Sequence, residues 1–213
     1  MQSQRTYCFF NGEFRSSDQA LLLVSDLGLQ RGYGVFDFAR TYNDKLFHFD
    51  DHLDRLRHSA DTLHLNLAYS NQEITDMANL VIEKSDLRCP GVRLLLTGGY
   101  SDTAFAFENP NFLILGENLS QFSKQVYEDG VTVMTHRFQR ESPQTKSLNY
   151  LNALRLEPVR KQRGVYDILY YWTHGVTEFP RGNFFLFNND TLVTPKNHIL
   201  FGITRNIVLK LAS

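Results

Sequence analysis

Two stretches, Ser142-Pro-Gln-Thr-Lys-Ser-Leu-Asn-Tyr150 and Gly175-Val-Thr-Glu-Phe-Pro-Arg-Gly-Asn183, decide the fold of this chain. The first carries Lys146 and the second carries Glu178. A lysine amine can form a Schiff base with an aldehyde, and a carboxylate can keep a pyridine nitrogen protonated. Either residue alone indicates little, because most charged side chains are solvated. Together they offer the two groups that an aldehyde cofactor with a pyridine ring requires.

Further motifs follow these two stretches in a fixed order. The second half continues with Gly182-Asn-Phe-Phe185, Thr194-Pro195 and Gly202-Ile-Thr-Arg205. The first half contains Arg31-Gly-Tyr-Gly-Val-Phe-Asp-Phe-Ala-Arg40 and Phe49-Asp-Asp-His-Leu-Asp-Arg-Leu56. In this order the blocks resemble the class IV, or fold type IV, pyridoxal-phosphate enzymes. That family includes branched-chain aminotransferases, D-amino-acid aminotransferases and aminodeoxychorismate lyases.

The resemblance implies roles for individual residues at the cofactor, pyridoxal 5'-phosphate. Lys146 would bind the aldehyde and then shuttle the substrate α-proton, and Glu178 would pair with the ring nitrogen. Arg55 would bind the phosphate across a domain cleft, whereas its place on the helix, opposite the leucines, is typical of a solvated residue. The amides of Ile203 and Thr204 would bind the same phosphate at a helix N-terminus. The alternative for Thr204 is an ordinary N-cap.

Three further residues are candidates with open alternatives. Tyr150 resembles the tyrosine that approaches the ring hydroxyl in branched-chain aminotransferases, although it lies one residue closer to Lys146 than in that pattern, and a packed core tyrosine is the alternative. Arg40 and Arg93 are candidates for binding the substrate carboxylate. The alternative for Arg93 is a charge at a strand edge.

Composition limits the other classes of function. The 213 residues are 42% hydrophobic, and the formal net charge is −1, so the chain lacks the positive charge that favours nucleic acid or anionic lipid. Its apolar runs are too short to span a bilayer, and no metal site is expected. Its two cysteines do not make a disulfide framework, and the N-terminal residues do not resemble a signal peptide. These features favour a cytoplasmic protein.

The pattern of the chain predicts a mixed α+β fold in two domains, with the cofactor in the cleft between them. A small α+β domain is expected over residues 1–118 and a larger, sheet-rich cofactor-binding domain over 119–213, without the C-terminal part present in the family. Asn11-Gly12 predicts a tight hairpin turn, and Ser70-Asn-Gln-Glu73 predicts a helix start by a capping box. Pro158 is expected to end or kink the helix that follows Lys146.

The sequence as a whole predicts a pyridoxal-phosphate-dependent aminotransferase that moves an amino group between a small amino acid and a 2-oxo acid. An aminodeoxychorismate-lyase-like elimination is one alternative, and an inactive homologue that acts as a binding or assembly subunit is another. The resemblance also implies a homodimer. In it, Arg31-Gly-Tyr-Gly34 or the Gly98–Asn109 loop of one subunit would reach the partner's cleft.

Overall fold

A computed structural model of the chain describes residues 6–103, 105 and 109–213. Part of the Gly98–Asn109 loop, which the sequence predicts to reach a partner, lies outside the described residues. The chain forms two compact units. The first comprises Met1–Gln121 and Lys146–Leu148, and the second comprises Phe122–Thr145 and Asn149–Ser213. The sequence placed the boundary after residue 118 and the whole lysine segment in the second domain.

The described part of the first unit contains six strands: β1 (Tyr7–Phe10), β2 (Glu13–Ser16), β3 (Gly34–Tyr42), β4 (Lys45–Leu46), β5 (Pro90–Thr97) and β6 (Asn111–Asn118). They form one antiparallel sheet in the order β2-β1-β6-β5-β3-β4. Asn11 and Gly12 join β1 to β2 with φ angles of 44° and 98°, which confirms the predicted hairpin turn, since a type I′ turn needs positive φ at both central residues.

The helices of the first unit are α1 (Leu27–Arg31), α2 (Phe49–Thr62) and α3 (Asn71–Lys84), and a short 3-10 helix covers Ser17–Gln19. Ser70 and Glu73 form the predicted capping box at the start of α3. His48, with a φ of 49°, is the N-cap of α2, and Asp50 and Asp51 lie in the first turn.

Alternation along the strands separates the two faces of this sheet. One face packs against α2 and α3 and forms the buried core with their apolar residues. Val35 and Ala39 point to that face, and both are fully buried. The opposite face, which we call the Phe36 face, carries Phe36, Phe38 and Arg40 at every second position of β3.

The second unit contains α4 (Lys124–Glu128), α5 (Leu151–Gln162), α6 (Ile203–Ala212) and short strands. Its strands are β7 (Val133–Arg137), β8 (Asp167–Trp172), β9 (Gly175–Val176), β10 (Glu178–Phe179), β11 (Gly182–Asn183), β12 (Leu186–Asn188) and β13 (Thr191–Val193). Strands β7 and β8 are parallel, β9 pairs with β8, and the other four form two hairpins. Both units mix helices with strands, as predicted.

Pro158 does not end α5, which continues to Gln162. The proline removes the hydrogen-bond donor for the carbonyl of Leu154. Leu154 is 69% exposed, so water can reach this turn of the helix. Among the described residues, none of the helices combines the length and the apolar sequence needed to cross a membrane.

Candidate active site

The main chain around Lys146 is fixed to the start of β3. The Phe36 amide donates to the Lys146 carbonyl at 3.0 Å, and the Leu148 amide donates to the Gly34 carbonyl at 2.9 Å. Ser147 forms an isolated antiparallel bridge with Val35. The Lys146 Nζ lies 4.4 Å from the centre of the Phe36 ring, a cation–π distance. The candidate amine therefore lies on the Phe36 face, on a backbone bonded to β3 at both Lys146 and Leu148.

Ser59 joins Lys146 to α2. Its buried hydroxyl accepts a hydrogen bond from the Lys146 amide at 3.1 Å and donates one to the Arg55 carbonyl at 2.8 Å. The side chain of Arg55 is 12% exposed and makes a two-point contact with Asp37, from Nε to Oδ2 and from Nη2 to Oδ1, both at 2.8 Å. The predicted phosphate-binding arginine is thus not the solvated residue that its helical position indicates.

Asp37 is fully buried on the helix-packed face of β3. Its Oδ1 also lies 2.7 Å from the Nδ1 of His52. Burial alone would raise the pKa of this carboxyl, but hydrogen bonds from Arg55 and His52, together with their charges, outweigh burial and lower the pKa from 3.8 to about 2. Asp37 is therefore an anion at neutral pH and fixes the guanidinium of Arg55.

Arg40 and Arg93 lie on the Phe36 face. The Arg40 guanidinium lies 4.6 Å from the centre of the Tyr42 ring, and its Nε is buried without a hydrogen-bond partner among the described residues. Arg93 binds Glu117 at two points, 2.5 and 2.8 Å, and lies over Phe36 and Phe38. The alternative of a strand-edge charge for Arg93 is wrong, because β5 is an inner strand, paired with both β3 and β6.

Glu178 begins β10 in the second unit and has a side chain that is only 6% exposed. Its Oε1 accepts a hydrogen bond from the Arg140 Nε at 2.9 Å, and its Oε2 accepts one from the Leu200 amide at 2.9 Å. Asn183, paired with Glu178 across β10 and β11, donates to the Leu200 carbonyl at 2.8 Å. The second unit therefore holds the buried carboxylate beside the segment that leads into α6.

The N-terminus of α6 has no side-chain cap. Gly202 is the N-cap residue, Ile203 begins the helix, and the exposed Thr204 is its second residue. The alternative of Thr204 as an N-cap is therefore wrong. A Cβ at Gly202 would collide with the Asn183 side-chain oxygen, so a larger residue at this position would have to displace the Asn183 side chain. The first-turn amides of Ile203 and Thr204 are donors of the kind that bind phosphate.

Tyr150 precedes α5 at its N-cap position and is half-buried. It is therefore not the fully packed core tyrosine of the alternative interpretation. Of the residues predicted from sequence, the first unit contains Arg40, Arg55, Arg93 and Lys146, and the second contains Tyr150, Glu178, Ile203 and Thr204.

Comparison with known proteins identifies the family of the chain. Residues 34–213 match the family model described as amino-transferase class IV. The chain belongs to the class IV aminotransferases. It is 31% identical to a putative branched-chain-amino-acid aminotransferase of Methanocaldococcus jannaschii, over 96% of this chain and 74% of the relative. It is 29% identical to a D-alanine aminotransferase of Staphylococcus aureus, with the same two coverages.

The fold matches solved structures of this class. The branched-chain amino acid aminotransferase of Escherichia coli superposes with a TM-score of 0.89 at 24% identity, over 98% of this chain and 74% of that one. The family, the mixed fold and the class of enzyme predicted from sequence, a pyridoxal-phosphate-dependent aminotransferase, are confirmed. The residues of this aminotransferase also fit the cofactor, because they include a lysine, a buried carboxylate and an uncapped helix N-terminus.

Three residues that support these side chains were missed by sequence reasoning: Asp37, Ser59 and Arg140. Asp37 had a usable signal, since the alternation of Val35, Asp37 and Ala39 puts an acid on an apolar face, where a charge needs a partner. Ser59 bonds to Lys146 and Arg140 bonds to Glu178, 87 and 38 residues away in sequence, and no local pattern indicates these two contacts.

Proposed function

We propose that this aminotransferase moves an amino group between a small amino acid and a 2-oxo acid, with Lys146 as the residue that reacts with pyridoxal phosphate. The observation that carries the proposal is the position of the Lys146 Nζ over the Phe36 ring, on a backbone anchored to β3. A primary amine is the group that forms a Schiff base with an aldehyde, and this one stands on a fixed backbone.

The same face supports the class of substrate. Phe36 and Phe38 offer apolar surface, and Arg40 follows them at the next position that points the same way. An arginine with a buried Nε that lacks a partner among the described residues suits a carboxylate, which would supply the missing acceptor. Arg93 is the second candidate, although Glu117 already binds its guanidinium. A small apolar amino acid would use both kinds of surface.

The cofactor would be held from its two ends. Glu178 would accept a hydrogen bond from the ring nitrogen, and the amides of Ile203 and Thr204 with the guanidinium of Arg55 would bind the phosphate. The supporting observation is that the Leu200 amide binds Glu178 just before α6 begins. Tyr150 would approach the ring hydroxyl.

When bound, pyridoxal phosphate supplies an aldehyde that reacts with amines and a ring that withdraws electrons. The chain's own groups then have separate tasks. Lys146 would bind the aldehyde, and after the substrate amine has replaced it there its Nζ would accept the proton of the substrate Cα. Arg40 orients the substrate carboxylate so that this proton faces the lysine. Glu178 balances the positive charge of the ring nitrogen.

The two alternatives from the sequence use the same residues differently. An aminodeoxychorismate-lyase-like enzyme would use Lys146 for an elimination, and an inactive homologue would bind no cofactor. The relatives include a putative branched-chain-amino-acid aminotransferase and D-alanine aminotransferases, so the panel of substrates must contain both L- and D-amino acids. The test is amino-group transfer to 2-oxoglutarate and pyruvate from L- and D-alanine and L- and D-leucine, with aminodeoxychorismate as the lyase substrate. Pyruvate release from aminodeoxychorismate without transfer would favour the lyase.

The lysine assignment has its own test. After incubation with pyridoxal phosphate and reduction with borohydride, mass spectrometry should find the cofactor on the peptide with Lys146. Lys146→Ala should abolish the adduct and the activity while the protein stays folded, because the bonds that anchor this segment are made by the main chain. Lys161→Ala, at a 70% exposed side chain, is the control and should keep both. An adduct on another peptide would contradict the assignment.

A homodimer and a cytoplasmic setting also belong to this proposal. Leu21, Leu23 and Val24, with Leu29 of α1, are 57–79% exposed in the first unit. Exposed apolar side chains close together in sequence are what a subunit contact would cover. Sedimentation at micromolar concentration should give a dimer, and a fully active monomer would remove the shared-site role of Arg31-Gly-Tyr-Gly34.

A further inference from the structure

One side chain of the second unit, that of Arg140, contacts both the buried acid and the loop in front of the lysine. Its Nη2 lies 2.7 Å from the Glu178 Oε1 and donates to the Pro143 carbonyl at 2.5 Å. Its Nη1 donates to the Thr145 carbonyl at 3.4 Å. Thr145, which is buried, immediately precedes Lys146 in the chain.

The surroundings of Glu178 fix the plane of its carboxylate. Arg140, with a side chain that is 16% exposed, binds one oxygen, and the Leu200 amide binds the other. A carboxylate held at both oxygens cannot rotate without breaking a charge-assisted hydrogen bond. Arg140 also supplies the opposite charge that a carboxylate with 6% exposure requires.

We propose that Arg140 is a positioning residue that fixes the Glu178 carboxylate in the orientation in which it accepts a hydrogen bond from the ring nitrogen of the cofactor. This inference rests on the proposed role of Glu178. If Arg140 acts through Glu178, its loss weakens binding of a ligand that has the ring nitrogen and spares a ligand that lacks it. If Arg140 only braces Pro143 and Thr145, both ligands are weakened alike.

The experiment compares two probes, pyridoxal 5'-phosphate and its 1-deaza analogue, in which a C–H group replaces the ring nitrogen. Dissociation constants of both are measured by equilibrium dialysis with the cofactor-free protein. Arg140→Gln should weaken pyridoxal phosphate by roughly tenfold or more, which is typical for a lost charged hydrogen-bond network, and should change the affinity for the analogue little. Arg140→Lys keeps the positive charge but lacks the planar guanidinium, so it should recover part of the affinity for pyridoxal phosphate that Arg140→Gln loses.

Two further variants complete the test. Glu178→Gln should remove the preference for pyridoxal phosphate over the analogue. Adding Arg140→Gln to the Glu178→Gln variant should not change the ratio of the two dissociation constants further. The control is Arg137→Gln, because the Arg137 guanidinium lies over the Trp172 ring, 4.8 Å from its centre, away from these bonds. It should leave both affinities unchanged.

Each outcome decides the inference. If Arg140→Gln weakens binding of both probes equally, so that the ratio of their dissociation constants is unchanged, the proposed role of Arg140 is overturned. The role of Glu178 is then decided by Glu178→Gln alone. A wild-type protein without preference for the ring nitrogen overturns both. Should the glutamine variant not fold, the lysine variant decides: a reduced ratio supports the inference and an unchanged ratio overturns it.

Discussion

Asp37→Asn should remove most of the stabilisation that the buried cluster of Asp37, His52 and Arg55 provides at neutral pH. The Asp37 pKa of about 2, against the ordinary 3.8, corresponds to about 2 kcal/mol in favour of the folded state when the group is ionised. An asparagine cannot accept bonds at both positions and leaves the Arg55 guanidinium without its counter-charge. We therefore expect a loss of about 3 kcal/mol in the free energy of unfolding at pH 7.

The pH dependence gives the sign of the effect. Because the folded-state pKa is lowered, the stabilisation is fully present above pH 3.8 and is lost as the pH falls through 3.8 towards 2. Urea unfolding at pH 7, 5, 3.5 and 2.5 measures this directly. The difference in the free energy of unfolding between wild type and Asp37→Asn should be constant from pH 7 to 5 and should shrink at the two lower pH values.

The control is Asp51→Asn in the same helix as His52 and Arg55. Asp51 pairs with His48 at 2.9 Å, but both side chains are more than 40% exposed, and such surface pairs contribute little. An Asp37→Asn variant as stable as wild type at pH 7, or a stability difference that stays the same at pH 2.5, would refute the reasoning that Asp37 is an ionised, paired anion.

Two further substitutions test the supports of the site. Ser59→Ala should lower the free energy of unfolding by about 1 kcal/mol or more and speed hydrogen exchange at the Lys146 amide, because a buried donor loses its acceptor. Thr62→Ala, which removes a similar but exposed bond within α2, should do neither. Gly202→Ala should weaken cofactor binding and cost about 1–3 kcal/mol, because the added Cβ displaces Asn183. Gly182→Ala, where the nearest atom is 3.9 Å from the added Cβ, should be tolerated, and equal losses in both variants would contradict the argument.

The parts of the fold that the sequence predicts well are those set by local chemistry. The turn at Asn11-Gly12 and the capping box of Ser70 and Glu73 are specified by residues no more than three positions apart, and both are present. Pro158 shows the limit of such rules, because the helix continues past it at a turn exposed to water. A local rule gives the energetic cost of a residue within a helix or strand, and the surrounding structure determines whether the helix or strand forms despite that cost.

The site divides in the same way. The roles of Lys146 and Glu178 stay predictions, made because the chemistry of the cofactor demands an amine and a carboxylate and few motifs offer both in the right order. Their supports are not predictable, because each depends on pairing over a long sequence distance. The segment from Lys146 to Leu148 belongs to the first unit through its bonds with Gly34 and Phe36, about 110 residues earlier, and nothing in the segment itself indicates that pairing.

Arg55 shows why a helical pattern alone gave an incomplete answer. Leu53 and Leu56 face the core, so the pattern of α2 indicates that Arg55 points to solvent. The helix instead has a second buried strip, in which His52 and Arg55, three residues apart, meet Asp37 of β3. A hydrophobicity pattern detects only the apolar strip of a helix. Polar residues that are buried against a charged partner are of the same types as polar residues that face solvent, so the pattern cannot separate them. The acid at position 37, on an otherwise apolar face, is the feature that distinguishes the two cases.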